Sequence, residues 1–266
     1  MVRERGRRPD RHRDVDEPDG RGGSGGRHRR AVGRGPGLLR RAVGWLDDYR
    51  HILWTQVRAL VRPAPPRAFA AGSRTPVLVL PGIYESWHAL GRIARDLNEA
   101  GHPIVVVPGL GANLRALRVS ARIVARQLRE TGSGELVILA HSKGGLIGKA
   151  LMLGPLGPRV RGMVAIATPF AGSRHARWFP GAGVRGLSDR DPHIGSLGRR
   201  HDVDARITSI YAAFDPHIPG GSELPGAHNV RVDAVGHFRI VDHPRVRAEV
   251  RDAVGRLTTG GAAVPS

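Results

Sequence analysis

The chain has 266 residues and a formal net charge of +19, and 40 of its 42 basic residues are arginine. This length is sufficient for one domain with a large apolar core. The sequence contains no cysteine, which excludes disulfide bonds and thiolate metal sites.

The basic charge is concentrated near the start of the chain, where residues 1–43 hold 13 arginines against six acidic residues. Such an excess attracts nucleic acid or an anionic membrane. No zinc-ligand set, aromatic stacking platform or basic zipper accompanies it, so specific nucleic-acid binding gains no support. Residues 1–37 contain almost no large apolar side chain, and we expect them to form a disordered, solvated basic tail.

Residues 38–62 are predicted to form an amphipathic helix that ends at Pro63, followed by a proline-rich linker over 63–75. Two interpretations of this helix stay open. It packs on the following domain, or it lies on a membrane with tryptophan and arginine at the lipid boundary. The apolar residues that recur at helical intervals are Leu39, Val43, Leu46, Leu53, Val57 and Leu60.

The sequence offers no membrane-spanning or secretory segment. No stretch reaches the ~18 apolar residues of a transmembrane helix, and the basic N-terminus is not followed by an apolar signal core. These features favour a cytoplasmic protein, with peripheral membrane contact through residues 38–62 left open.

Strands and helices alternate over 76–260, followed by a short tail over 261–266. This alternation indicates an α/β fold with a mostly parallel sheet and helices on both faces. Ser86 and Asn113 are predicted N-caps of the first two helices, and residues 244–257 form the closing helix. The predicted strands are Val77–Leu80, Ile104–Val107, Leu136–Ala140, Val160–Ala167, Ile207–Ala212 and Asn229–Val235.

Residues 174–205 interrupt this alternation. They are rich in glycine, arginine, histidine and aspartate and contain few periodic apolar residues. Because a stretch of this length without clear structure is usually functional, we predict that it forms a lid.

Ser142 lies between the third predicted strand and a segment whose apolar residues fall at helical spacing. The order is therefore strand, tight turn with a serine at its tip, and helix. The free amides and the dipole at the start of such a helix favour negative charge beside the serine.

A serine hydroxyl is a poor nucleophile near pH 7 and needs a base, which in turn needs an orienting acid. Asp215 and His237 each follow a predicted strand, and active groups gather at the carboxyl ends of parallel strands. We therefore predict a triad of Ser142, Asp215 and His237, whereas His141 points back into the structure. The rival residues that lack this placement are Asp189, Asp191, Asp202, Asp204, Asp233, Asp242, His217, His228 and His243.

Several stretches over 76–258 resemble lipases and esterases of the α/β-hydrolase superfamily. They are Val-Leu-Val-Leu-Pro-Gly-Ile, Ala-His-Ser-Lys-Gly-Gly, Ala-Thr-Pro-Phe-Ala-Gly-Ser, Phe-Asp-Pro-His-Ile-Pro and Val-Gly-His-Phe. The chain order Ser142, Asp215, His237 also matches that superfamily. The sequence departs from it at Ala140, where glycine is usual, and at Pro81, where histidine is frequent.

The resemblance implies an α/β-hydrolase fold with a lid and ester hydrolysis through an acyl-enzyme, with no cofactor and no metal. The substrate would be a small ester or a lipid. The oxyanion would bind two backbone N–H groups, those of Lys143 and Ile83, with Tyr84 an open alternative to Ile83.

Two other functions stay open at this point. The same triad would serve acyl transfer or the hydrolysis of thioesters or amides. Alternatively, the protein binds a membrane or a polyanion without catalysis, and its triad is vestigial.

Overall fold

The computed structural model describes residues 38–61, 65–132, 134–176 and 181–259. The predicted disordered tail over 1–37, the short tail over 261–266 and the predicted helix end at Pro63 lie outside these residues. Within the described ranges, no helix is both long enough and apolar enough to cross a lipid bilayer.

The described residues form one six-stranded sheet in which every strand pairs with its neighbours in parallel. Its strands are β1 Val77–Leu80, β2 Ile104–Val105, β3 Leu136–His141, β4 Val160–Ile166, β5 Ile207–Phe214 and β6 His228–Val235. Their order across the sheet is β2-β1-β3-β4-β5-β6. All six predicted strands are therefore present, in the parallel arrangement that the alternation indicated.

Two strands are shorter than predicted, β4 by one residue, since it ends at Ile166, and β2 by two. We expected Ile104–Val107, but β2 ends at Val105. The apolar run continues to Val107, but Pro108 opens a 3-10 turn directly after it. Proline fixes φ and restricts the residue before it, so the chain leaves the sheet early.

The helices are α1 Leu38–Val61, α2 Gly91–Glu99, α3 Leu117–Glu130, α4 Lys143–Met152, α5 Ala182–Arg185, α6 Pro192–Gly198 and α7 Pro244–Thr259. The predicted amphipathic helix corresponds to α1, and the predicted closing helix corresponds to α7. Residues 174–205 contain α5 and α6, while 177–180 lie outside the described residues. The mobility of this predicted lid stays a prediction.

The two predicted N-caps are not capping groups. Ser86 precedes a 3-10 turn, but its hydroxyl lies 3.1 Å from His88 Nδ1 and caps no amide. The prediction for Asn113 is wrong because α3 begins only at Leu117. The Asn113 amide instead donates to the Pro81 carbonyl at 2.8 Å, and its oxygen accepts from Ser120.

The apolar core lies on both faces of the sheet, as strand periodicity requires. In β1, Leu78 and Leu80 join the cluster beneath α3 and α4, whereas Val77 and Val79 join the cluster beneath α2 and α7. Apolar side chains thus cover both faces of the sheet. Polar side chains can gather at the edge formed by the carboxyl ends of the strands.

Candidate active site

The turn between β3 and α4, which we call the serine turn (His141 to Gly145), holds Ser142 in a strained conformation. Ser142 has φ 51° and ψ −122°, which non-glycine residues rarely adopt. A Cβ on Gly144 would lie 2.0 Å from the Leu80 carbonyl oxygen, and one on Gly145 would lie 2.0 Å from Thr168 Oγ1. Only glycine fits at these two positions, so the local sequence dictates the turn.

The structure brings the three predicted triad residues into one hydrogen-bonded row. His237 Nε2 lies 2.9 Å from Ser142 Oγ, and His237 Nδ1 lies 2.7 Å from Asp215 Oδ2. All three side chains are buried. Because a carboxylate accepts only, Nδ1 carries the proton and Nε2 is the acceptor for the serine hydroxyl.

The charges in the row stabilise one another. Burial raises the pKa of Asp215, but the charge and hydrogen bond of His237 and the His217 amide hold it below its ordinary value. Burial lowers the pKa of His237, yet the carboxylates of Asp215, Asp48 and Glu85 raise it overall. Asp215 is therefore ionised at neutral pH, and the site favours a protonated His237 when one forms.

His141 lies inside the structure, as predicted, and connects two loops. Its Nδ1 lies 2.8 Å from Glu85 Oε2, and its Nε2 lies 2.9 Å from the His237 carbonyl oxygen. The buried Glu85 carboxylate also accepts from the Gly82 amide at 2.7 Å. Sequence reasoning did not select Glu85, because its side-chain partner His141 is 56 residues away along the chain.

The two predicted oxyanion donors flank Ser142. Lys143 opens α4, so its backbone amide has no acceptor within the helix. Ile83 lines the same cavity as Ser142, and a Cβ on Gly82 would lie 3.1 Å from Ser142 Cβ, which shows how closely this turn approaches. The Gly82 amide donates a hydrogen bond to the Glu85 carboxylate.

The Lys143 side chain has a separate contact. Its buried ammonium donates to the carbonyls of Asn113 and Arg115. Burial lowers the pKa of this amine to about 8. The side chain thus fixes the loop before α3.

The segment Thr168 to Ser173 braces the site from the next strand. Thr168 Oγ1 donates to the Ser142 carbonyl at 3.0 Å, and Ser173 Oγ donates to the His217 carbonyl at 2.6 Å. One short segment after β4 therefore fixes both the serine turn and the loop that follows Asp215.

Helix α1 reaches the triad histidine through a residue that sequence reasoning missed. The buried Asp48 carboxylate accepts from the backbone amides of His237, Phe238 and Arg239 at 2.8, 2.7 and 2.8 Å. Asp48 and His237 are 189 residues apart. No local signal connects them, since a lone aspartate in an amphipathic helix is ordinary.

His217 lies beside the row but is not part of it. Its Nε2 lies 3.0 Å from the Tyr49 hydroxyl, and burial, with His237 nearby, lowers its pKa to about 4. Ligand atoms of Asp215, His217 and His237 all lie within 4.8 Å of one another.

A cavity of about 430 Å³ opens beside Ser142 and His237. Tyr49 of α1 and His217 form part of its wall. Its apolar wall is formed largely by Ile83, Pro169, Ala176, Val184, Leu187 and Ile218. Three of these residues, Ala176, Val184 and Leu187, come from the predicted lid.

No protein-family model and no curated protein sequence matches this chain. Solved structures do match. The mature lipase BlEst2 of Bacillus licheniformis has a TM-score of 0.54 at 16% identity, over 70% of this chain and 92% of that one. Lipase B of Aspergillus fumigatus has a TM-score of 0.57 at 19% identity, over 68% and 52% of the two chains. A putative non-heme bromoperoxidase, BpoC of Mycobacterium tuberculosis, has a TM-score of 0.53 at 15% identity, over 70% and 94%.

These similarities establish the class of the fold. The chain has the α/β-hydrolase fold, which confirms the fold that the motifs implied. Because a fold hosts many activities, function has to be argued from the site itself.

Proposed function

We propose that this protein is a serine hydrolase that cleaves carboxylic esters, with acyl or lipid esters as its substrates. The observation that carries the proposal is the buried row of Ser142 Oγ, His237 Nε2 and Asp215 Oδ2 at the wall of an apolar cavity. A row of this kind activates a serine hydroxyl that is otherwise unreactive near pH 7.

In the first half-reaction, Ser142 Oγ attacks the ester carbonyl carbon while its proton passes to His237 Nε2. Asp215 holds the imidazole in position and stabilises the imidazolium. The bond to the alcohol then breaks, and the alcohol leaves with the proton from Nε2, so that an acyl-enzyme forms on Ser142. Water completes the cycle by the same route, with His237 again taking and returning a proton. The raised pKa of His237 favours each imidazolium stage.

The negative charge on the carbonyl oxygen would be stabilised by the backbone amides of Lys143 and Ile83, with Tyr84 the alternative to Ile83. Each such donor lowers the barrier by about 3 kcal/mol. The positive end of the α4 dipole adds to this stabilisation, because Lys143 is the first residue of that helix.

The cavity supports an acyl group as the part of the substrate that binds there. Apolar side chains form most of its wall, and polar groups converge at Ser142 and His237. This combination is typical of a pocket that holds an apolar ligand and orients one polar bond. The lipases among the similar structures are consistent with this substrate class.

The proposal is tested by hydrolysis of short and medium-chain p-nitrophenyl esters. Ser142→Ala should lower turnover at least ~10³-fold, because the nucleophile is removed while the fold remains. His228→Gln is the matched control, since it changes an exposed histidine of β6 outside the row. Wild-type turnover by Ser142→Ala on every ester would contradict the proposal. Product analysis with added alcohols or amines would show whether acyl transfer predominates.

A further inference from the structure

Helix α1 presents an apolar face to solvent. Val43, Leu46, Leu53, Trp54 and Val57 are each between 42% and 66% exposed. Their spacing places them on one face of the helix. A contiguous exposed apolar surface of this kind marks an interaction site.

The opposite face of α1 contacts the body of the protein with polar groups. Asp48 is fully buried against the amides after Gly236, and His51 Nε2 lies 3.7 Å from Asp242 Oδ2. A surface helix normally buries its apolar stripe and exposes its polar face. Among the side chains of α1 that the structure describes, those five apolar ones are exposed and Asp48 is buried. The two interpretations of residues 38–62 are therefore compatible: one face packs on the domain, and the other is left for a partner.

Charge indicates what that partner is. Arg50 lies within the apolar face, with a side chain that is 84% exposed and an exposed ion pair to Asp47 at 3.4 Å. Such a pair contributes only ~0 to 1 kcal/mol, so Arg50 can exchange Asp47 for a lipid phosphate. The chain as a whole carries a net charge of +19. A second copy would bring like charges together across the interface. Residues 1–37 contain almost no large apolar side chain to cover the face. An anionic lipid surface instead accepts apolar side chains and attracts arginine.

We propose that the apolar face of α1 (Val43, Leu46, Leu53, Trp54 and Val57) docks on an anionic lipid surface. Leucine and tryptophan side chains enter the boundary between headgroups and acyl chains, and Arg50 pairs with lipid phosphate. Docking of this face requires no catalytic activity.

A consequence follows for the site, and it rests on the proposed function. Tyr49 neighbours the apolar face and also lines the cavity beside Ser142. A lipid surface held by α1 would therefore lie next to the cavity that receives the ester.

The test is co-sedimentation of the full-length protein with vesicles of phosphatidylcholine, with and without phosphatidylglycerol. The wild type should bind the anionic vesicles and bind the neutral ones more weakly. A triple variant, Leu46→Ser with Leu53→Ser and Trp54→Ser, should bind at least ~10-fold more weakly, because three inserted side chains are lost. Every variant keeps the basic residues 1–37, so attraction by those arginines is the same throughout.

Leu114→Ser is the matched control, since Leu114 is 50% exposed but lies outside α1. It should bind like the wild type, and so should Ser142→Ala, which separates docking from catalysis. Circular dichroism should show unchanged helix content in the triple variant. Equal binding by the triple variant and the wild type would overturn the proposal. The proposal would also be overturned if light scattering without lipid showed that the wild type is a dimer and the triple variant a monomer.

Discussion

The serine turn and helix α1 both reach His237, but they do so by different means. The serine turn combines a strained serine with glycines that nothing larger can replace, all within five residues of sequence. Helix α1 lies outside the sheet and contributes one buried carboxylate to the histidine loop from 189 residues away. The comparison teaches that the reactive groups are encoded locally, whereas their alignment depends on long-range contacts.

The largest expected effect is on the serine turn. Gly144→Ala places a Cβ 2.0 Å from the Leu80 carbonyl oxygen, which is backbone and cannot move aside. We expect a loss of about 3 kcal/mol or more in the free energy of unfolding, measured by urea denaturation. Gly255→Ala in α7 is the control, since an added Cβ would meet nothing within 4 Å beyond its own stretch of helix, and it should stabilise by up to ~1 kcal/mol. Equal effects of the two changes would refute this account of the turn.

The next largest loss of stability is expected at the contact between α1 and the loop of residues 237–239, which contains His237. Asp48→Ala leaves three amide donors without their acceptor, and we expect a loss of ~2 to 4 kcal/mol in the free energy of unfolding. Ester turnover should fall at least ~10-fold as His237 loses its position. In Asp48→Ala, the amides of residues 237–239 should exchange hydrogen faster than in the wild type, as measured by mass spectrometry. This readout does not depend on esterase activity.

Asp47→Ala is the matched control for Asp48, since the ion pairs that Asp47 forms with the described residues Arg50 and Arg239 are exposed. Such pairs contribute ~0 to 1 kcal/mol. If both variants lost stability equally, the special role of Asp48 would be wrong.

A smaller effect concerns pH. The carboxylates around His237 raise its pKa above the ordinary 6.5, and the proposed reaction needs the neutral imidazole. Activity should therefore be full at high pH and be lost as pH falls through a midpoint above 6.5. Asp48→Asn removes one raising charge, so the midpoint of kcat/KM should move to lower pH. An unchanged midpoint would mean that Asp48 holds the loop without affecting the charge on His237.

The smallest effect belongs to the outer face of α1. Leu53→Ser changes a side chain that is already exposed, so the free energy of unfolding in lipid-free buffer should change by less than ~0.5 kcal/mol. A loss above ~2 kcal/mol would show that this face is buried in solution.

The sequence predicted the features whose signals are local. Apolar runs located the six strands, and glycines after Ser142 indicated the turn that the structure contains. Placement at strand ends selected Asp215 and His237 from many rivals, because parallel strands bring their carboxyl ends to one edge. Residues defined by distant partners escaped this reasoning. Asn113 braces Pro81 and caps no helix, and nothing in the sequence near Asp48 or Glu85 points to their distant partners.

The central claim is that Ser142 is an activated nucleophile. The most direct measurement is labelling with a fluorophosphonate probe, followed by mass spectrometry of the labelled peptide, in the wild type, Ser142→Ala and His237→Ala. The account predicts label on Ser142 in the wild type and none in either variant. A folded wild-type protein that takes up no label would contradict it, and binding without catalysis would then be the better account of this fold.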